Sequence, residues 1–201
     1  NPTATLWDEG AVQRIIDAVG AQGGIVAVDE AYQPFASRTW LTRMQAEPAR
    51  NAHVLLMRTL SKFGLAGVRL GYMLGQPALV AEIDKVRPPY NVSVLNCEAA
   101  LFALEHADVF AAQAAELRAQ RTVLIDALRA MAGIEKVWDS EANMVLVRVA
   151  NAGKTYEGMK TRKVLIKNVS TMHPLLHNCL RLTVGNAQDN ATMLAALQAS
   201  L

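Results

Sequence analysis

Two short runs made wholly of apolar residues, Ile25–Val28 and Val54–Met57, set the tightest limit on the fold. A strand with one wet face alternates apolar and polar residues. A run without alternation reads instead as a strand buried on both faces, the habit of parallel sheets flanked by helices. Residues 7–19 carry apolar side chains at helical spacing, closed by Gly20, Gly23 and Gly24. Val68–Leu74 reads as a further strand between Gly67 and Gly75. Pro77 opens a helix to about Val86 that Pro88-Pro89 stops. Strands alternating with helices predict an α/β domain with a mostly parallel or mixed sheet covered on both sides.

The second half has another character. Val94–Glu105 reads as a largely buried helix, and Asp108–Met131 as a long one, its apolar positions recurring over many turns. After Gly133 come strands at Lys136–Trp138 and Met144–Val149, a helix near Tyr156–Arg162, strands at Val164–Lys167 and Cys179–Val184, and a final helix from about Ala187 to Ala199. This is an α+β arrangement, and the boundary falls near residue 107, giving domains 1–107 and 108–201.

A net charge of +2 over 201 residues, with dispersed lysines and arginines, offers no footprint for nucleic acid. No apolar run approaches the length of a membrane span. Cys97 and Cys179 lack the spacing of a disulfide framework or zinc ribbon, which suits a cytoplasmic protein. His173 and His177 stand four apart, but Pro174 between them and no evident third ligand favour a loop over a metal site. No metal is expected.

Chemistry concentrates at Thr59-Leu60-Ser61-Lys62-Phe63-Gly64-Leu65-Ala66-Gly67-Val68-Arg69. Lys62 sits among Leu60, Phe63, Leu65, Ala66 and Val68, and a partly buried amine is suited to covalent chemistry with a carbonyl. Thr59, Ser61 and Arg69 are the residue types that hold a phosphate. Upstream, Asp29 ends the first strand, the side of an α/β sheet where ligands collect. A carboxylate there can pair with a protonated pyridine nitrogen, while Tyr32 and Asn1 can donate to a ring oxygen. The set is what pyridoxal 5'-phosphate requires. Plainer roles compete: a helix cap or salt bridge for Asp29, an ion pair for Arg69, and backbone capping for Thr59 and Ser61. Glu30 beside Asp29 does not make a hydrolytic pair, because adjacent strand residues face opposite ways. Arg181, inside the apolar strand Leu180–Val184, needs a partner: a substrate anion or an internal carboxylate.

Asn1-Pro2-Thr3, Asp29-Glu30-Ala31-Tyr32, Thr59-Leu60-Ser61-Lys62, Gly64 to Tyr72, Arg87-Pro88-Pro89-Tyr90-Asn91-Val92, Ser140-Glu141-Ala142-Asn143 and Asn178 to Gly185 together resemble fold-type-I PLP-dependent aminotransferases. The wording is nearest the branch that acts on histidinol phosphate. The resemblance covers essentially the whole chain and implies the C-terminal portion of a longer enzyme: part of the large PLP-binding domain, then a small α+β domain. It implies Lys62 as the Schiff-base lysine, Asp29 on the ring nitrogen, Asn1 and Tyr32 on the 3-oxygen, and Ser61 and Arg69 on the phosphate, beside which residue chemistry alone places Thr59. It further implies Arg181 on the substrate carboxylate, Tyr90 and Asn91 near the substrate or the dimer seam, and Asn143 near the substrate, although a turn competes for the first two and a strand-backbone role for Asn143. The implied reaction turns histidinol phosphate and 2-oxoglutarate into imidazole acetol phosphate and glutamate, in histidine biosynthesis. A homodimer with shared active sites is implied too. A PLP-dependent decarboxylase of a phosphorylated amino acid, an aromatic amino acid aminotransferase, or an inactive piece serving only assembly are the alternatives. Ala4 stands where the family usually has glycine, and Arg69 follows Lys62 by seven positions where many members have eight.

Overall fold

The computed structural model describes residues 1–201. They form two compact units, Trp7–Ala112 and Asn1–Leu6 with Gln113–Leu201. The division falls inside one long helix, a few residues beyond the expected boundary at 107, and the first six residues group with the later part of the chain.

In the unit Trp7–Ala112, helix α1 (Glu9–Gly20) starts where the Asp8 carboxylate accepts from Ala11 N, with Glu9 in the first turn. Strand β1 (Val26–Asp29) pairs in parallel with β2 (Val54–Thr59), and β3 (Gly71–Leu74) runs antiparallel to β2, in the order β1-β2-β3. The sheet is therefore mixed, with one of two pairings parallel. Ile16, Trp40, Val54 and Leu56 form its core, joined by Val12, Val26, Val28 and Leu74. Val54 to Leu56 are buried as expected, but β1 alternates: Val26 and Val28 face the core while Ala27 and Asp29 are open, and Ile25 lies outside the strand. Strand β3 begins three residues later than its apolar run, because Arg69 adopts a left-handed conformation (φ 56°) that no strand accommodates. Helix α2 (Leu41–Ala46) is a short addition that periodicity did not foretell. It is secured by Trp40 Nε1 donating to Asn51 Oδ1 at 3.2 Å. Helix α3 (Pro77–Asp84) starts at its proline, and helix α4 (Val94–Glu105) is capped by Ser93. Helix α4 is apolar on nearly every side, yet only Ala100 and Ala103 are buried. Val94, Leu95, Leu101, Phe102 and Leu104 are exposed.

Helix α5 (Ala107–Ala130) carries the chain into the other unit. There β4 (Ile134–Val137), β5 (Met144–Val149), β6 (Lys167–Asn168) and β7 (Cys179–Thr183) form an antiparallel sheet in the order β4-β5-β7-β6. One face, bearing Val145, Val147, Leu180 and Leu182, packs with Leu124 and Leu128 of α5, Met159 of α6 (Ala152–Thr161) and Leu197 of α7 (Ala187–Gln198). The other face carries a smaller cluster of Leu146, Val169, Leu176 and Cys179 against Trp138. Helix α6 begins four residues before its expected start, because Asn151 caps it through Lys154 N and its first turn is polar. Of the strand expected at Val164–Lys167 only Lys167 is found in a strand, paired to β7 together with Asn168. Lys163 closes α6 in a left-handed conformation (φ 62°), and Val164 N donates back to Met159 O at 3.0 Å. Helix α7 opens on a reciprocal capping box between Asn186 and Asp189.

Ala4 is buried and left-handed (φ 57°), with its carbonyl accepting from Glu141 N at 2.8 Å. An L-residue with a Cβ is strained there by about 1 kcal/mol, where glycine would not be. Ala4→Gly is expected to raise stability by roughly 0.5–1 kcal/mol, read as a higher thermal midpoint of the full-length protein. A lowered midpoint would contradict the strain.

Candidate active site

The catalytic lysine expected at position 62 ends a 3-10 turn, Leu60–Lys62, that follows β2 directly. Thr59 closes that turn: its hydroxyl accepts from Ser61 N at 3.0 Å and donates to Leu70 O at 3.3 Å. Its hydroxyl thus has backbone capping as a role within the unit, the alternative that competed with the expected phosphate contact. Leu60 is buried, its N–H donating to Leu70 O at 3.0 Å. Phe63 packs on Phe110 with ring centroids 5.0 Å apart. Gly64 follows at φ 103°, where an added Cβ would lie 2.8 Å from the Phe110 ring, so the chain can leave the lysine only through a glycine. At Gly71, paired with Thr59 across the strands, a Cβ would come 2.9 Å from Arg58 O. The close approach of β3 to the lysine turn depends on that missing side chain.

Asp29 ends β1, in register with Met57 of β2, so it and the lysine turn leave the same end of neighbouring parallel strands. Its carboxylate Oδ1 accepts from Ala31 N at 2.8 Å. Tyr32, three residues further, turns its ring to the half-buried Lys62, whose Nζ lies 5.1 Å from the ring centroid. Asp29, Tyr32 and Lys62 are therefore gathered at one end of β1 and β2. A cavity of about 730 Å³ opens beside them, walled by Asp29, Met57, Arg58, Thr59, Tyr72 and Asn91. Lys62 lies outside that wall, and the cavity meets the lysine turn at Thr59. A second cavity of about 230 Å³ lies against Glu30, Arg58, Thr59 and Phe63.

Arg69 ends a second 3-10 turn, Ala66–Val68, and its left-handed backbone directs the guanidinium back to Ala66 O at 3.3 Å. Asn91 accepts from Arg87 Nη1 at 3.0 Å. Tyr90 is left-handed (φ 58°) and 98% exposed, so nothing within the unit holds its ring.

In the other unit, Arg181 on β7 and Asn1 come together. Arg181 Nη1 donates to Asn1 Oδ1 at 2.7 Å, while Nε is buried without a partner. A buried guanidinium nitrogen left unused is a standing cost that an incoming anion would remove. The internal carboxylate that competed for Arg181 does not appear among its contacts. Val184 N donates to the Asn143 carbonyl at 2.9 Å, continuing the β7 register past the strand end.

Sequence reasoning passed over one group. Glu30, immediately after Asp29, forms a shielded ion pair with Arg58, Arg58 Nη2 donating to Glu30 Oε2 at 3.0 Å. An arginine closing the apolar run Val54–Met57 was the signal, by the same reasoning that drew attention to Arg181.

A mixed α/β unit places a carboxylate at the end of β1 and a lysine turn after β2, and the family model described as aminotransferase class I and II matches residues 1–199; the chain belongs to that family. Histidinol-phosphate aminotransferases of Paracidovorax citrulli (strain AAC00-1) and Acidovorax sp. (strain JS42) are 83% and 81% identical to it over all 201 residues, covering 54% and 55% of those proteins. The chain thus spans about half the length of the curated relatives it matches. Among solved structures, a putative aminotransferase from Burkholderia pseudomallei K96243 aligns with TM-score 0.81 at 31% identity, over 98% of this chain and 58% of that one. The histidinol-phosphate aminotransferase from Clostridium acetobutylicum aligns with TM-score 0.85 at 21% identity, over 98% and 60%, a likeness of fold.

Proposed function

We propose that the chain is part of a pyridoxal 5'-phosphate-dependent aminotransferase that transfers the amino group of histidinol phosphate to 2-oxoglutarate, giving imidazole acetol phosphate and glutamate. The observation that carries the reaction class is the gathering of Asp29, Tyr32 and Lys62 at the carboxyl ends of β1 and β2. The substrate rests on the names of relatives more than 80% identical.

The donor set fits the cofactor: an amine on a closed turn, a carboxylate engaged only with backbone, a phenol, and a hydroxyl with a guanidinium for a phosphate. When bound, pyridoxal phosphate supplies a carbonyl for the lysine and a ring that withdraws electrons from the reacting carbon. Lys62 would take the proton from the substrate α-carbon as general base and deliver it, as general acid, to the carbon that was the cofactor's aldehyde. Asp29 holds a proton on the ring nitrogen by its negative charge. Asn1 and Tyr32 donate to the ring's 3-oxygen. Ser61 and Arg69 hold the phosphate, while Thr59 keeps their turn closed. Arg181 takes the α-carboxylate of glutamate in one half-reaction and the phosphate of histidinol phosphate in the other. Tyr90, Asn91 and Asn143 border the substrate.

Residues 1–107 belong, in this reading, to the large cofactor-bearing domain, and 108–201 to the small domain of the enzyme. The protein works as a homodimer in the cytoplasm. The apolar side chains that α4 leaves exposed support the former, for contiguous surface of that kind marks an interface. Cys97 and Cys179, both free thiols, suit the latter.

The test is glutamate release from histidinol phosphate and 2-oxoglutarate by the full-length enzyme, with carbon dioxide followed in parallel. Glutamate without carbon dioxide is expected, and the reverse would make the enzyme a decarboxylase. In the same assay Arg181→Ala should raise KM for histidinol phosphate and for 2-oxoglutarate by roughly ten- to a hundredfold, with a smaller loss in kcat. Unchanged KM values would make Arg181 structural.

A further inference from the structure

Lys62 ends a short turn that is held differently on its two sides. Upstream, the turn continues β2 directly, Thr59 caps it, and Leu60 is buried. Leu60 N also donates to Leu70 O at 3.0 Å, which ties this side to the chain leading into β3. Downstream, Phe63 N and Leu65 N both donate to Leu60 O, at 3.0 and 3.1 Å. Those two bonds close the turn on itself and fasten it to no other element.

A helix supplies the downstream hold. Phe110, in the first turn of α5, belongs to the same unit as the lysine, Trp7–Ala112. Its ring packs on Phe63 with centroids 5.0 Å apart and planes tilted by 32°. The same ring borders Gly64, where an added Cβ would lie 2.8 Å from Cδ1 and 2.9 Å from Cε1. One aromatic side chain therefore lies against both residues that follow Lys62. Glycine is the residue with the most backbone freedom, so a ring against Gly64 restrains the chain where it would otherwise be loosest.

That restraint bears on the amine. A lysine side chain is long, so a small rotation of its backbone becomes a large displacement of Nζ. Nζ lies 5.1 Å from the centroid of the Tyr32 ring, a soft contact that a shifted backbone would break. Misplacing a reacting group by about 1 Å costs on the order of a hundredfold in rate.

We propose that Phe110 is a positioning residue for Lys62: packed on Phe63 and Gly64, it fixes the chain just beyond the lysine and so aims the amine at the carbonyl of the cofactor. The inference rests on the role given above to Lys62. Phe110 has no part in the chemistry itself and acts through the two residues it touches. In the step it serves, the amine nitrogen attacks the aldehyde carbon of pyridoxal phosphate, a carbon–nitrogen bond forms, and the aldehyde oxygen leaves as water.

The experiment mixes the full-length apoenzyme with saturating pyridoxal phosphate, well below the thermal midpoint of every variant, and quenches with borohydride at successive times. Borohydride reduces the new carbon–nitrogen double bond to a stable amine, so the mass of the intact protein gives the fraction attached. Phe110→Ala should slow attachment about tenfold. Ile16→Val, a core truncation on α1 away from the turn, should lower the thermal midpoint yet attach within about twofold of the native rate. Native attachment by Phe110→Ala, or equal slowing by Ile16→Val, overturns the proposal, for the first leaves Phe110 merely structural and the second makes the effect a general loosening. Should Phe110→Ala fail to fold, Phe110→Leu decides: slowing of about threefold or more supports the proposal, and the native rate overturns it. Lys62→Ala in the same assay separates the two levels of inference. If it is attached at the native rate, the role of Lys62 falls and this proposal with it. If it forms no adduct while Phe110→Ala attaches normally, only the role of Phe110 falls.

Discussion

Lys62→Ala in the full-length enzyme is expected to abolish the covalent link to the cofactor and lower transamination by roughly 10⁴-fold. The size follows from two losses at one atom. The amine is both the group that attacks the cofactor carbonyl and the base that moves the proton, and no second lysine stands on the turn. The substitution should leave the fold intact. Leu60, Phe63 and the Thr59 cap hold the turn without help from the lysine, whose side chain contacts the Tyr32 ring. Loss of the visible absorbance of the holoenzyme, with an unchanged thermal midpoint of the apoenzyme, is the expected pair of results. Normal turnover in the variant would remove Lys62 from the chemistry.

Asp29→Ala should slow the chemical step by about 10²–10³-fold, even with the cofactor saturating, because the carboxylate that keeps the ring nitrogen protonated, and the ring therefore able to accept electrons, is lost. The measurement is a single-turnover rate with excess cofactor, which separates chemistry from cofactor loss. Asp29 makes no ion pair, and its one side-chain bond is to the nearby Ala31 N, so its removal should cost the fold little. A single-turnover rate equal to the native one would leave Asp29 as no more than a cap for the turn after β1.

Much of this arrangement was legible from residue order. The lysine among Leu60, Phe63 and Leu65, the acid at the end of an apolar run, and the arginine inside β7 each break a local pattern, and such breaks mark where chemistry outweighs packing. Other features left no trace. Arg69 and Ala4 adopt left-handed backbones that glycine would have advertised and their own side chains conceal. Helix α2 spans only six residues, too few for a period to emerge, and α6 begins in a polar turn whose cap is a single asparagine. Strand β1 looked buried on both sides because Ala27 is as apolar as its neighbours, although it faces outward. Glu30 was set aside because its side chain points away from that of Asp29. That geometry is what lets it reach Arg58.

The order β1-β2-β3 leaves each outer strand with a neighbour on one side alone. The backbone groups along the far flanks of Val26–Asp29 and Gly71–Leu74 are a template on which any extended peptide can lay a further strand. A polypeptide limited to these residues is therefore expected to be adhesive at two places, recruiting other chains into its sheet unless additional strands arrive to cap it.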